Sequence, residues 1–116
     1  METTKHLAAI ALLGLLGSCT INPHAMDMTQ AVQSASTRSD HAALAKHYED
    51  AAKEIQTKVD EHKKLLAQYQ AKKALYGKHG QDLMNHCQGL IRIYEQAVAE
   101  NMAMAKSHRE MAAEAK

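Results

Sequence analysis

Histidine, methionine and cysteine are the side chains here with chemistry to offer. Eight histidines, seven methionines and two cysteines are spread over 116 residues. Six of the histidines lie beyond residue 40: His41, His47, His62, His79, His86 and His108. Thioether and thiolate suit Cu(I), and imidazole suits copper and zinc alike. The best local set is Met104, His108 and Met111, spaced four and three apart and so sharing one side of a helix. His47 or Tyr48 from an opposing arm would face it, which makes copper the metal to expect if any is bound. A second set, Met84, His86 and Cys87, has His79 seven residues before His86. Neither has the spacing of a closed zinc site: Cys-x-x-Cys, His-Glu-x-x-His and His-x-x-x-His are all missing from the sequence. The plainer reading makes Met104 and Met111 core residues, and His62 and His108 hydrogen-bonded histidines within a helical seam. Cys87, on a seam position, is expected to be buried, with an intermolecular disulfide as the alternative.

Other chemistry finds less support. Cys-x-x-Cys-His, the haem-attachment pattern, does not occur, and a haem b would have to force open a seam of small residues. Gly77-x-x-Gly80 has the spacing of a nucleotide-clamping loop, but without flanking strands it reads as a helix connector. No Ser/His/Asp order, phosphate-binding glycine loop or apolar carboxylate pair stands out, so the expectation is a protein that is not an enzyme. A net charge of +1 lacks the basic footprint of nucleic-acid binding. With 21 alanines, four tyrosines and neither phenylalanine nor tryptophan, the core is thin and a deep substrate cavity is not expected.

The elements that must position these residues are helices. One proline and five glycines give little material for a turn-rich β-fold. Ser39-Asp40 reads as a capped helix start, and no breaker follows until Gly77-Lys78-His79-Gly80. The sequence predicts a helix over 40–76, a loop over 77–80 and a helix over 81–116. Together, 39–116 form an all-α, coiled-coil-like antiparallel hairpin. Heptad steps give His41, Tyr48, Ile55, His62, Tyr69 and Tyr76, interleaved with Ala45, Ala52, Val59 and Leu66. In the second arm, Leu83, Leu90, Ala97, Met104 and Met111 interleave with Cys87, Tyr94, Asn101 and His108, and Met84, Ile91, Val98 and Ala105 widen the stripe. Folding about Lys78-His79 sets Tyr48 opposite His108, His62 opposite Tyr94 and Tyr69 opposite Cys87, with ring hydrogen bonds expected. Pairs four apart, Glu49–Lys53, Glu54–Lys58 and Asp60–Lys64, suit a solvated face. A lone hairpin buries little surface, so a homodimeric four-helix bundle or a helical protein partner is expected.

The N-terminus reads as an address. Lys5 precedes the apolar run Leu7–Leu16, too short to span a bilayer. The run ends in Leu16-Gly17-Ser18-Cys19, which resembles the lipobox of bacterial lipoproteins. That resemblance implies removal of residues 1–18, acylation of Cys19 (palmitate among the chains), and membrane attachment through two or three acyl chains. Thr20, rather than an aspartate, after the cysteine implies sorting to the outer membrane, facing the periplasm. Residues 19–38, with Pro23 and a run of serines and threonines, read as a tether, with a turn of helix near Met28–Ser34. The expectation is a lipid-anchored structural or interaction module of the cell envelope, with copper handling as its rival.

Overall fold

A computed structural model describes residues 27–116. The lipobox, Cys19 and the first part of the tether lie outside the described residues. The remainder is all helix, with no strand among the described residues: α1 spans Thr29–Ser34, α2 Arg38–Ala71, α3 Lys73–Tyr76 and α4 His79–Glu114. The two long helices pack along their length as an antiparallel hairpin, each about 50 Å long at 1.5 Å per residue. No helix among the described residues is long and apolar enough to cross a membrane.

α2 begins two residues before the expected Asp40, and its cap is Thr37 rather than Ser39. The reason is reciprocity. The Thr37 hydroxyl accepts from the Asp40 amide at 3.1 Å, while the Asp40 carboxylate accepts from the Thr37 amide at 2.9 Å and the Ser36 amide at 3.1 Å. A cap at Ser39 would place Ala42 at the third helical position, with nothing to return the bond. The two amides on its carboxylate hold the Asp40 carboxyl below its ordinary value, the Ser36 amide contributing most and the Thr37 amide next.

The expected continuous helix to residue 76 is instead broken at Lys72, and the connector is only Gly77 and Lys78. Gly77 has φ +53° and ψ −134°, a conformation open essentially to glycine alone. Gly80, buried in the first turn of α4, lets α3 close in: a Cβ there would lie 3.3 Å from the Lys73 carbonyl oxygen and 3.5 Å from Tyr76 Cβ. The break at Lys72 thus tilts one turn of helix against a helix start that has no side chain.

The seam follows a strict alternation of three and four. In α2 it contains His41, Ala45, Tyr48, Ala52, Ile55, Val59 and His62; in α4, Gly80, Met84, Cys87, Ile91, Tyr94, Val98, Asn101, Ala105, His108 and Ala112. Ala45, Val59 and Ala105 are fully buried. Small residues let the backbones approach, and full burial of Val59 contributes about 1.5–3 kcal/mol. One expected row is corrected. Met84, Ile91, Ala105 and Ala112 are buried and close the seam, whereas of the expected row Leu83, Leu90 and Ala97 are half-buried and Met104 and Met111 are 44% and 38% exposed. Both rows stand at heptad-compatible distances from Cys87, Tyr94 and His108. The inner one is the row whose small residues at 105 and 112 admit a close partner.

Candidate functional site

Two features rise above plain packing: a ring cluster where the arms open and an apolar row along α4. At the open end, His108 is 5% exposed and sits between two α2 rings. Its Nδ1 lies 3.2 Å from His41 Nδ1, one nitrogen donating to the other. The His41 ring stacks on one side, centroids 5.5 Å apart, and Tyr48 on the other at 5.6 Å and 7° from parallel. Burial, and then the neighbouring His41, push the His108 imidazole below its ordinary 6.5. Tyr48 therefore meets His108 as expected, but face to face; the ring nitrogen bonds His41 instead of the tyrosine hydroxyl.

The same substitution of stacking for hydrogen bonding occurs midway. His62 and Tyr94 stack with centroids 5.5 Å apart. Cys87, buried, has its sulfur 3.9 Å from His62 Nδ1. The expected Tyr69–Cys87 pair is corrected: Tyr69 packs edge-on against Tyr76 of α3 at 5.3 Å. In an antiparallel seam each residue lies between two residues of the facing row, and Cys87 takes the one toward the open end.

The flanks of the seam differ in kind. On one side Arg109 donates to Glu49, with Nε 2.8 Å from the carboxylate, and Lys63 pairs with Glu95 at 2.9 Å. These bridges between arms correct the expected Glu49–Lys53 pair. Lys53 meets Asp50 three residues back, Lys46 pairs with Asp50 four residues on, and Lys58 meets Glu61 three residues on while Glu54 also acts on it. On the other side Leu44 and Ala51 of α2 are buried, and the apolar row Leu83, Leu90, Ala97, Met104 and Met111 of α4 runs along the edge. Ile93, 62% exposed, lies one turn away.

The copper set is not gathered by this arrangement. Met104 and Met111 fall on the outer row while His108 turns into the seam, so one helix divides the trio between two faces. His47 contacts the edge of Tyr48, centroids 5.5 Å apart, rather than facing His108. Among the described residues no three His, Cys, Asp or Glu side chains converge to hold a metal ion. His41, the residue that does reach His108, was legible as a seam position but not as its partner. The hollows on the surface are shallow and open, one lined by Met28, Thr29, Val32, Gln33 and Tyr48 between α1 and α2. Comparison with protein-family models, curated proteins and solved structures gives no match.

Proposed function

We propose that this chain is a lipid-anchored, non-catalytic interaction module of a bacterial cell envelope, attached through Cys19 and presenting its hairpin to a helical partner. The single observation behind the interaction role is the apolar row of α4 outside the seam. It runs from Leu83 to Met111, roughly 42 Å of helix, and Met104 and Met111 toward its open end are 44% and 38% exposed. The row reads large, large, small, large, large from Leu83 to Met111, the same in either direction. Two antiparallel copies of α4 related by a two-fold axis would set Leu83 against Met111, Leu90 against Met104 and Ala97 against itself, apolar against apolar throughout. The partner is accordingly a second copy, giving a four-helix bundle, with the lipid supplying two-dimensional confinement to one membrane face. The anchor rests on Leu16-Gly17-Ser18-Cys19, and the outer-membrane destination on Thr20.

Two measurements test the two halves separately. Cys19→Ser should leave the precursor unprocessed and its product out of the detergent phase; normal maturation of that variant removes the anchor. Mass measured by light scattering across a dilution series should report a dimer that Leu90→Lys with Met104→Lys converts to monomer. A chain that is monomeric throughout, and unchanged by those lysines, removes the second copy as partner.

A further inference from the structure

We propose that the His41–His108 pair is a proton-operated latch that holds the open end of the hairpin shut near neutral pH and releases it in mild acid. The geometry sets the chemistry. Two ring nitrogens 3.2 Å apart hold one hydrogen between them. A neutral pair satisfies this, with one Nδ1 protonated and the other accepting. One added proton is also tolerated, because it can enter on the outer nitrogen of the donor ring and leave the shared bond in place. A second proton must go on the accepting Nδ1, and two N–H groups then point at each other between two cations. That step breaks the bond inside a seam where His108 is 5% exposed.

The groups around the pair do not offset this. From α2, Tyr48 presents its ring face, and Asp40, beside His41, has its carboxylate engaged by the Ser36 and Thr37 amides. Of the other carboxylates at this end, Glu49 is engaged by Arg109 of α4, a cation beside His108 in sequence, Asp50 by Lys46 and Glu110 by Lys106, while Glu114 lies in the last turn of α4. The α1 residues that border Tyr48 (Met28, Thr29, Val32 and Gln33) carry no titratable group. The lowered His108 imidazole follows first from its burial and then from the nearby His41 ring.

The sign follows by linkage. A histidine held below its unfolded value binds fewer protons folded than unfolded, so its contribution is complete above about pH 6.5 and is lost as pH falls through the lowered folded value. Between the two values, closure weakens up to about tenfold per pH unit for each proton taken up. The midway cluster holds no such pair: His62 stacks on Tyr94 and has a sulfur, not a second imidazole, at its Nδ1. Acid therefore opens the arms from one end.

Amide hydrogen exchange on the full chain, corrected for intrinsic pH dependence, reads this directly. Between about pH 7.5 and 5, protection of amides in 41–48 and 104–112 should fall about tenfold or more, while 83–94 keep theirs. His41→Gln, which retains a polar partner but abolishes the second cation, should hold open-end protection within about threefold over the same range. An open end equally protected at both pH values, or a His41→Gln chain that loses as much as the parent, overturns the latch. If His41→Gln does not fold, the NMR titration of the parent's His108 ring decides instead: a midpoint at or above about 6.5 overturns the proposal, and a lower one that coincides with the loss of protection supports it.

Discussion

The two ends of the hairpin are closed by different physics. At the loop end the chain itself joins the arms through Gly77 and Lys78, and the fit is made by backbone: a positive φ at Gly77 and a bare Gly80 against the Lys73 carbonyl. At the open end no backbone connection joins the arms, and side chains alone hold them together. There the Thr37–Asp40 capping box, the His41–His108–Tyr48 stack and the Glu49–Arg109 bridge do the closing. A two-residue link costs little closure entropy, so pairing propagates from the loop and is weakest where the helices end. Side-chain chemistry placed at the open end therefore governs fraying, whereas the same chemistry near the loop would be masked by the short connection.

The strongest way to break this contrast is to separate the two ends. Ala97→Pro lies midway along α4, deletes its amide bond to the preceding turn and sets the ring against the Ile93 carbonyl, at a cost of about 3 kcal/mol or more. Denaturation followed by circular dichroism should show that loss, and exchange should show the open end exposed before the loop end. Next in size is Gly77→Ala. Nothing lies within 4 Å of the added methyl, so the whole effect comes from a backbone at φ +53° and ψ −134°. A destabilisation of about 1–3 kcal/mol in urea is expected. A neutral result would mean that the connector relaxes to another conformation and that the loop end is not fixed by its glycine.

Much of this was legible in residue spacing. The run free of glycine and proline from Ser39 to Tyr76 marks the first arm, and the shared row of Cys87, Tyr94, Asn101 and His108 marks the inner face of the second. The fold-over register brings Tyr48 to His108 and His62 to Tyr94. What spacing leaves open is which neighbour of that shared row is inside. Leu83, Leu90, Met104 and Met111 are the more hydrophobic choice, yet Ala105 and Ala112 are buried, because axial approach rewards small residues more than it rewards apolar bulk. A rule giving each residue one partner also misses the second, and so His41 was not paired with His108. The Thr37-x-x-Asp40 box was readable, but Ser39 beside an acidic residue is an equally good cap until the return bond is counted.

The cap itself gives a smaller test at the open end. Thr37→Ala removes the hydroxyl that satisfies the Asp40 amide and should cost about 1 kcal/mol. Asp40 adds a pH signature distinct from that of the histidines. Its folded value is below 3.8, so its contribution is complete above that pH and is lost as pH falls further through the lowered value. Thermal melts of Asp40→Asn and the parent should diverge above about pH 4 and draw together as pH falls below 3.8. Convergence already at pH 6 would assign the acid sensitivity of this end to the cap and not to the ring cluster.

The smallest expected change is a gain. Gly89 lies inside α4, between the two ends, where its conformational freedom stabilises the unfolded chain and its missing side chain packs against nothing. An added Cβ would meet only the tip of the Arg92 guanidinium at 3.9 Å, an ordinary van der Waals distance to a group that can move. Gly89→Ala should therefore stabilise the hairpin by about 0.5–1 kcal/mol, the difference in helix propensity. Because the position belongs to neither closure, the gain should appear in the global unfolding midpoint and leave the ratio of open-end to loop-end exchange rates unchanged. A selective gain at one end would mean that Gly89 is a hinge between them, and that the arms do not transmit closure as one continuous helix.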